Sequence, residues 1–341
     1  MALYILGLGL GSLDYVTLGV LNRLKMCSEV YLDSYTSFIS RELLEWLEKE
    51  LGEKLKIAVR KNLEDNIDEI LEKAVHRNVA ILVPGDPFIA TTHISIIVKA
   101  REKKVDYEIL HGVSAYSAAP SITGLHIYKF GRTITLPREG DPKEVYRAIQ
   151  DNMEKGLHTL ILLDTADGGL TIPEALIKLL SVEESLGRKI LNEDSLAIAL
   201  VSLGMSNQLI KVGTIKELLS VEYPPPPHML IFPGELHFTE IEILIKIHGA
   251  REDIVRKYRP PRYEKDRTLN YITKTRRVLK ELKINEDSKH VKDVLEIAES
   301  YVEDSYSYWS SGEIYNALAT IAYAEGLLDG LRIVGKISFK W

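Results

Sequence analysis

Five apolar residues, Val79-Ala80-Ile81-Leu82-Val83, stop at Pro84-Gly85-Asp86-Pro87, and apolar residues at helical spacing resume from Ile94 to Lys103. A run this short and uniformly apolar reads as a strand buried on both faces, which means a parallel sheet between layers of helices. The segment between them is then a strand-to-helix loop. Gly85 permits close backbone approach, the two prolines stiffen the turn, and Thr91 or Thr92 is expected to cap the helix that follows. Such loops lie at the carboxyl ends of the strands, where open α/β sheets bind their ligands. Gly-Asp-Pro alone is equally an ordinary turn; other loops of the same kind give it weight.

The same alternation fills the first part of the chain. Leu3-Tyr4-Ile5-Leu6 runs into Gly7-Leu8-Gly9-Leu10-Gly11-Ser12 and a helix over residues 16–26. Glu29 to Asp33 leads through Ser34-Tyr35-Thr36-Ser37 to a helix near 39–51, and Lys56 to Val59 to another near 65–76. Tyr107-Glu108-Ile109-Leu110 closes the series at His111-Gly112. A second α/β unit follows, with strands at Thr133–Leu136, Thr159–Leu163, Leu196–Leu203 and His228–Phe232, separated by helices near 142–155, 173–184, 214–220 and 238–248.

Beyond residue 250 the character changes. Residues 251–263 are charged, include Pro260 and Pro261, and read as a linker. Helical spacing then continues without strands over about 265–283, 288–307 and 311–334. Ile314, Ala317, Leu318, Ile321, Ala324, Leu328 and Leu331 form one apolar face, which Leu269, Ile272, Leu279 and Leu282, with Val291, Val294, Ile297 and Val302, are placed to cover. The expected domains are 1–112 and 113–250, both α/β, and a three-helix domain at 264–341.

Composition sets limits on function. One cysteine, Cys27, excludes an internal disulfide and a cysteine-rich metal site, and a reducing, cytoplasmic setting fits. It reads as a small buried hydrophobe. A net charge of -6 argues against broad nucleic-acid binding. No apolar run approaches membrane-spanning length, and the chain enters its first strand without a signal peptide's charged region.

The loop at residues 7–11 invites a dinucleotide-binding reading, with Asp33 at about the distance of a ribose-binding carboxylate. Its spacing is Gly-x-Gly-x-Gly, however, and Ser12 stands where the fingerprint requires glycine. No Gly-Lys-Ser/Thr follows to make a triphosphate loop. A nicotinamide-linked oxidoreductase, glycines that only permit a tight crossover, and a non-catalytic scaffold carried by the helical tail remain as alternatives.

Read together, Gly7-Leu8-Gly9-Leu10-Gly11, Tyr35-Thr36-Ser37, Gly85-Asp86-Pro87 through Thr91-Thr92-His93, Ser114 with Tyr116-Ser117, and Gly124-Leu125-His126-Ile127-Tyr128-Lys129-Phe130-Gly131 resemble the diphthine synthases of the tetrapyrrole methylase superfamily. The resemblance covers about residues 1–250. It implies two α/β domains of tetrapyrrole methylase type with a cofactor cleft between them, a homodimer, and S-adenosyl-L-methionine as methyl donor, leaving S-adenosyl-L-homocysteine. It also implies methylation of the amino group on a modified histidine of translation elongation factor 2. By the same resemblance Leu10, Asp86, Ile89, Ser114, Ala115, Leu163, Val201 and His228 match cofactor-contact positions. Two departures stand out. Ala115 replaces a larger aliphatic residue, and Thr165 to Gly169 is shorter and less basic than in the family. The segment from Tyr306 to Arg332 resembles a small archaeal helical domain of unknown function.

The chemistry asks little of catalytic side chains. Methyl transfer from a sulfonium is an in-line displacement with a neutral thioether leaving, so alignment, exclusion of water and an unprotonated amine suffice, with neither metal nor covalent nucleophile. Asp86, read as an exposed carboxylate, is expected to accept hydrogen bonds from the cofactor. His93, His111, His126 and His237 are candidate bases, each as readily a loop-holding residue, and no catalytic residue is assigned.

Overall fold

A computed structural model describes residues 1–341. The chain divides into two compact units, Met1–Gly187 with Leu191–Pro260, and Pro261–Trp341 with the short segment Arg188–Ile190.

The first unit holds two five-stranded sheets. Strands β1 (Leu3–Gly7), β2 (Glu29–Asp33), β3 (Leu55–Ala58), β4 (Val79–Val83) and β5 (Tyr107–Leu110) form one, entirely parallel, in the order β3-β2-β4-β1-β5. Every residue of β1, β2 and β4 is buried, as the unbroken apolar run of β4 requires; in β2 the burial extends to Glu29 and Asp33 at its two ends. Leu3 and Ile5 join one core, with Ile67, Leu71 and Ile96, and Tyr4 and Leu6 the other, with Val20, Leu43 and Leu47. Helices therefore cover both faces. Buried Glu29 at the start of β2 is balanced by Lys56, Lys73 and Arg77 at 2.6, 3.3 and 2.5 Å. Burial pushes its carboxyl up, but hydrogen bonds from Lys56, Tyr31 and Lys73 outweigh that and hold it at about 2. Cys27 is buried, and burial raises its thiol to about 11.

The second sheet is mixed. Strands β6 (Ile134–Leu136), β7 (Thr159–Leu163), β8 (Leu196–Val201), β9 (Leu209–Thr214) and β10 (His228–Phe232) run in the order β6-β7-β10-β8-β9, parallel only between β6 and β7. The sequence reading missed β9. It is an edge strand interrupted by exposed Lys211 and by Gly213, so it shows neither an apolar run nor clean alternation. Within the stretch read as a linker, Glu252–Val255 makes one helical turn. Val255 is fully buried, and Tyr258 hydrogen-bonds the Pro233 carbonyl and packs with Leu244 and Ala250 in the same core.

The second unit is helical, at Tyr263–Glu281, Lys289–Ser311 and Ile314–Ile333. Ile272, Val302, Ile321 and Ala324 form one buried cluster, and Val278, Val291, Ala298 and Leu328 another. Ile297 does not join them: the buried stripe of its helix runs through Val291, Ala298, Val302 and Ser305, and Ile297 lies one step around, exposed. The expectation of no strand here is also corrected, since Lys283–Ile284 pairs antiparallel with Ile337–Ser338.

The tightest approach of backbone to backbone lies where β1, β4 and β5 end. A Cβ on Gly112 would sit 2.2 Å from the Gly85 carbonyl oxygen, and one on Gly7 would sit 2.5 Å from the Gly112 nitrogen. Gly9 and Gly85 meanwhile exchange both backbone hydrogen bonds, at 3.2 and 2.7 Å. Three loops thus touch backbone to backbone. We expect Gly112→Ala to lower the unfolding free energy by about 3 kcal/mol, because neither neighbour is a side chain that can swing away. Gly85→Ala meets open space and only the strain of a φ of +78°, and should cost nearer ~1 kcal/mol. Urea denaturation of the two variants checks this order; equal losses would contradict it.

Candidate functional site

A cleft of about 780 Å³ opens at the carboxyl ends of β1, β2 and β4. Gly9 and Leu10 after β1, residues 34–38 after β2, residues 84–86 and 89–92 after β4, and Ser114 to Tyr116 beyond β5 line it from the first half. From the second half come residues 162–168 at the end of β7, Leu203 and Met205 after β8, and Pro227 to Met229. Parallel strands place loop after loop on one edge, which is why segments distant in sequence converge there.

The halves meet through small residues and one hydroxyl. A Cβ on Gly204 would stand 2.5 Å from Leu10 Cβ, so that loop needs its glycine to let the other approach, and a Cβ on Gly11 would meet the flexible end of Met205 and stand 3.0 Å from the Phe38 carbonyl oxygen. Thr165 Oγ1 donates to the carbonyls of Tyr35 and Thr36 at 3.0 and 3.2 Å. Two lining residues other than glycine, Ala90 and Asp167, have positive φ, as does Ser202 beside the cleft. Such strained conformations persist where packing over-determines them, and they cluster at functional sites.

Of the residues singled out from the sequence, Leu10, Asp86, Ile89, Ser114, Ala115, Leu163 and His228 line this cleft. Val201 does not. It is fully buried in β8, paired in the ladder with His228, and Leu203 and Met205 reach the space instead. Asp86 is in the expected place but not in the expected state, being only 6 % exposed. Its Oδ1 accepts from the Phe88 N–H at 3.0 Å, and Oδ2 lies 2.7 Å from His111 Nδ1. The carboxylate therefore braces its own loop. Ser114 caps the helix Ala115–Thr123, accepting from Tyr116 N–H. His228 accepts the Ile172 N–H on Nδ1 and donates from Nε2 to the Pro224 carbonyl at 2.7 Å. Burial lowers its pKa, so the ring is neutral with both nitrogens engaged.

Thr91 and Thr92 do not cap the helix Ile94–Glu102 as expected: its N-cap is His93, with no side-chain cap hydrogen bond, while Thr91 Oγ1 accepts from the His93 N–H at 3.4 Å and donates to the Pro87 carbonyl, and Thr92 donates to Glu64. Asp33 is likewise closed off: it accepts from the N–H groups of Tyr35 and Thr36 and from the Thr36 hydroxyl. No oxygen is presented to a ribose, which removes the main support for the nicotinamide reading. None of His93, His111, His126 and His237 lines the cleft. Arg60, Glu64 and Thr165 do; Arg60 and Glu64 were passed over in sequence and Thr165 was noted only as part of a shortened loop, because charged and hydroxyl residues in loops carry no signal of direction.

The string Gly124 to Gly131 is anchored by buried Glu240. Its carboxylate accepts from His126 N–H at 2.8 Å, His237 N–H at 2.7 Å, Lys129 Nζ at 2.6 Å and His158 Nε2 at 3.0 Å. Burial opposes its ionisation, but hydrogen bonds from His158, Lys129 and the two backbone N–H groups prevail and hold its pKa well below the ordinary 4.5.

Residues 2–219 match the family Tetrapyrrole (Corrin/Porphyrin) Methylases, and residues 270–337 match a family described only as a protein of unknown function, DUF357. The chain is 40 % identical over 264 residues to a diphthine synthase of Staphylothermus marinus, covering 75 % of this chain and 97 % of the relative. It is 36 % identical over 272 residues to a diphthine methyl ester synthase of Kluyveromyces lactis, covering 73 % and 91 %. A crystal structure of diphthine synthase superposes with a TM-score of 0.68 at 29 % identity, over 76 % of this chain and all of that one.

Glu240→Gln leaves the Lys129 ammonium without its counter-charge and should cost about 3 kcal/mol at neutral pH. A depressed carboxylate pKa contributes stability that is complete above its unfolded value and is lost as pH falls through the folded one. The gap between wild type and variant is therefore expected to be constant above pH 4.5 and to narrow in stronger acid. Unfolding free energies measured across that range check it; a gap that widens on acidification would contradict the assignment.

Proposed function

Since the chain belongs to the tetrapyrrole methylase family, and within it to the diphthine synthases, we propose that its cleft is where methyl groups pass from S-adenosylmethionine to the amino group of the modified histidine on translation elongation factor 2. The chain is a methyltransferase of diphthamide biosynthesis. The observation that carries the site is the edge where the β1, β4 and β5 loops interlock: a floor of backbone rather than side chains, with open space over Gly85. Leu10, Ile89, Leu163 and Met205 supply apolar walls suited to an adenosine, and backbone groups at the glycine turns reach its polar parts. The residues present fit the cofactor. When bound, it supplies an electrophilic methyl group with a neutral leaving group.

The chain's own residues then bind, orient and dry the site. Asp86, already accepting from Phe88 N–H and facing His111, has further lone pairs for an ammonium or hydroxyl donor. Ser114 and Ala115 present the start of a helix, and neutral His228 fixes the backbone of β10 against Ile172. With His228 engaged at both nitrogens, no side chain is assigned as base. No group of three or more His, Cys, Asp or Glu is placed to hold a metal, and no helix is long and apolar enough to cross a membrane. A homodimer is part of the same proposal. So is the division of labour: methyl transfer belongs to residues 1–260, whose core includes Val255 and Tyr258, and the helical unit takes no part in it.

S-adenosylmethionine or its demethylated product should raise the melting temperature, since a ligand at a hundredfold its Kd stabilises the native state by about 2.7 kcal/mol, and a nicotinamide dinucleotide should not. Elongation factor 2 carrying the aminocarboxypropyl-histidine intermediate should gain methyl mass with the full chain and with a chain ending at Pro260. Absence of added mass despite cofactor binding would exclude this substrate. Activity lost only in the shortened chain would make the helical unit part of the enzyme.

A further inference from the structure

Arg60 opens the short helix Arg60–Leu63 and lines the cleft. Its guanidinium carbon lies 5.3 Å from the centroid of the Tyr35 ring, and its Nε lies 3.9 Å from Glu64 Oε1. The first contact is a stacking attraction and the second an ion pair too long for a hydrogen bond, so the guanidinium, on a side chain 71 % exposed, has N–H donors that no protein group accepts. Several other surface arginines donate within the protein, among them Arg23 to Glu108 and Arg256 to Glu242, each at 2.5 Å. Tyr35 is itself fixed, its hydroxyl donating to Glu64 at 3.3 Å and its backbone N–H to Asp33 at 2.9 Å.

Around this guanidinium the cleft is acidic. Glu64, Asp86, Asp164 and Asp167 line it, and Arg60 is the one lysine or arginine that does. A single cation with free N–H donors among carboxylates suits a ligand carrying both signs of charge, an anion for the arginine and an ammonium for the acids. A free phosphate or a plain carboxylate would meet mostly repulsion there. The aminocarboxypropyl group of the proposed substrate is such a zwitterion, with carboxylate and amine on one carbon.

We propose that Arg60 binds the carboxylate of the substrate's aminocarboxypropyl group, so that the amine beside it is presented to the cleft. A planar guanidinium can grip a carboxylate through two parallel N–H donors, fixing direction as well as distance. This rests on the substrate reading above and deepens it. Arg60 is a binding residue in this account and moves no proton.

The test measures cofactor Kd by calorimetry and methyl transfer to elongation factor 2 bearing the intermediate, for wild type, Arg60→Gln and Arg60→Lys. Arg60→Gln should lower kcat/KM on the order of 10- to 100-fold, mostly through KM, as expected for losing charged hydrogen bonds. Its cofactor Kd and melting temperature should match wild type. Arg60→Lys should recover part of the loss, keeping the charge without the fork. Added salt should raise KM for wild type more than for Arg60→Gln. Wild-type KM in Arg60→Gln, or cofactor affinity falling in step with activity, overturns the proposal alone. A wild type that binds cofactor but never methylates the factor overturns the substrate reading and this inference with it.

Discussion

The contact on which the first unit depends is made of main chain. Gly7 and Gly112 bring the ends of β1 and β5 against the Gly85 carbonyl at the end of β4, within a distance that no side chain on either tolerates, and Gly9 and Gly85 close the contact with two hydrogen bonds. Backbone groups in such a place satisfy one another and leave a rigid surface without projecting atoms. The edge of a parallel sheet, ordinarily a row of separate loops, becomes one floor. The Gly-x-Gly-x-Gly spacing that fails as a dinucleotide fingerprint succeeds as the geometry of this interlock.

What the second half adds follows from that floor. Leu10 and Gly11 pack against Gly204 and Met205, and the Thr165 hydroxyl ties the end of β7 to the turn after β2. Each sheet thus contributes both apolar wall and acidic residues to one cleft, Leu10, Ile89, Glu64 and Asp86 from the first and Leu163, Met205, Asp164 and Asp167 from the second. Away from it, buried Glu240 gathers His126, Lys129, His158 and His237. The string Gly124 to Gly131 is consequently a structural strap: its histidine and lysine hold a helix start and a strand start together and take no part in lining the cleft.

Most of the architecture was legible because burial on both faces leaves strong traces. β2, β4, β5, β7 and β10 begin and end at the residues expected from the sequence. Edge strand β9 was hidden by Lys211 and Gly213, and the short ribbon at Lys283–Ile284 has too few residues for a period. At the cleft, position in the chain revealed which loops converge but not what their side chains face. Asp86 was rightly placed and wrongly thought exposed, since nothing in Gly-Asp-Pro says that Phe88 and His111 will claim its oxygens. Val201 is the last residue of β8, two positions before Leu203, which reaches the cleft from the loop beyond. Arg60 and Glu64 came from a helix of one turn, too short to stand out in sequence, and only the folded sheet brings them beside Tyr35.

The central claim is that the backbone floor at the ends of β1, β4 and β5, with the β7 end across from it, holds the cofactor. Hydrogen exchange of the full chain with and without S-adenosylmethionine tests it directly. Slower exchange is predicted in the segments around Leu10, Asp86, Ser114 and Leu163, and unchanged exchange throughout residues 261–341. Protection confined to the helical unit, or absent from the glycine loops while the cofactor is bound, would contradict the account.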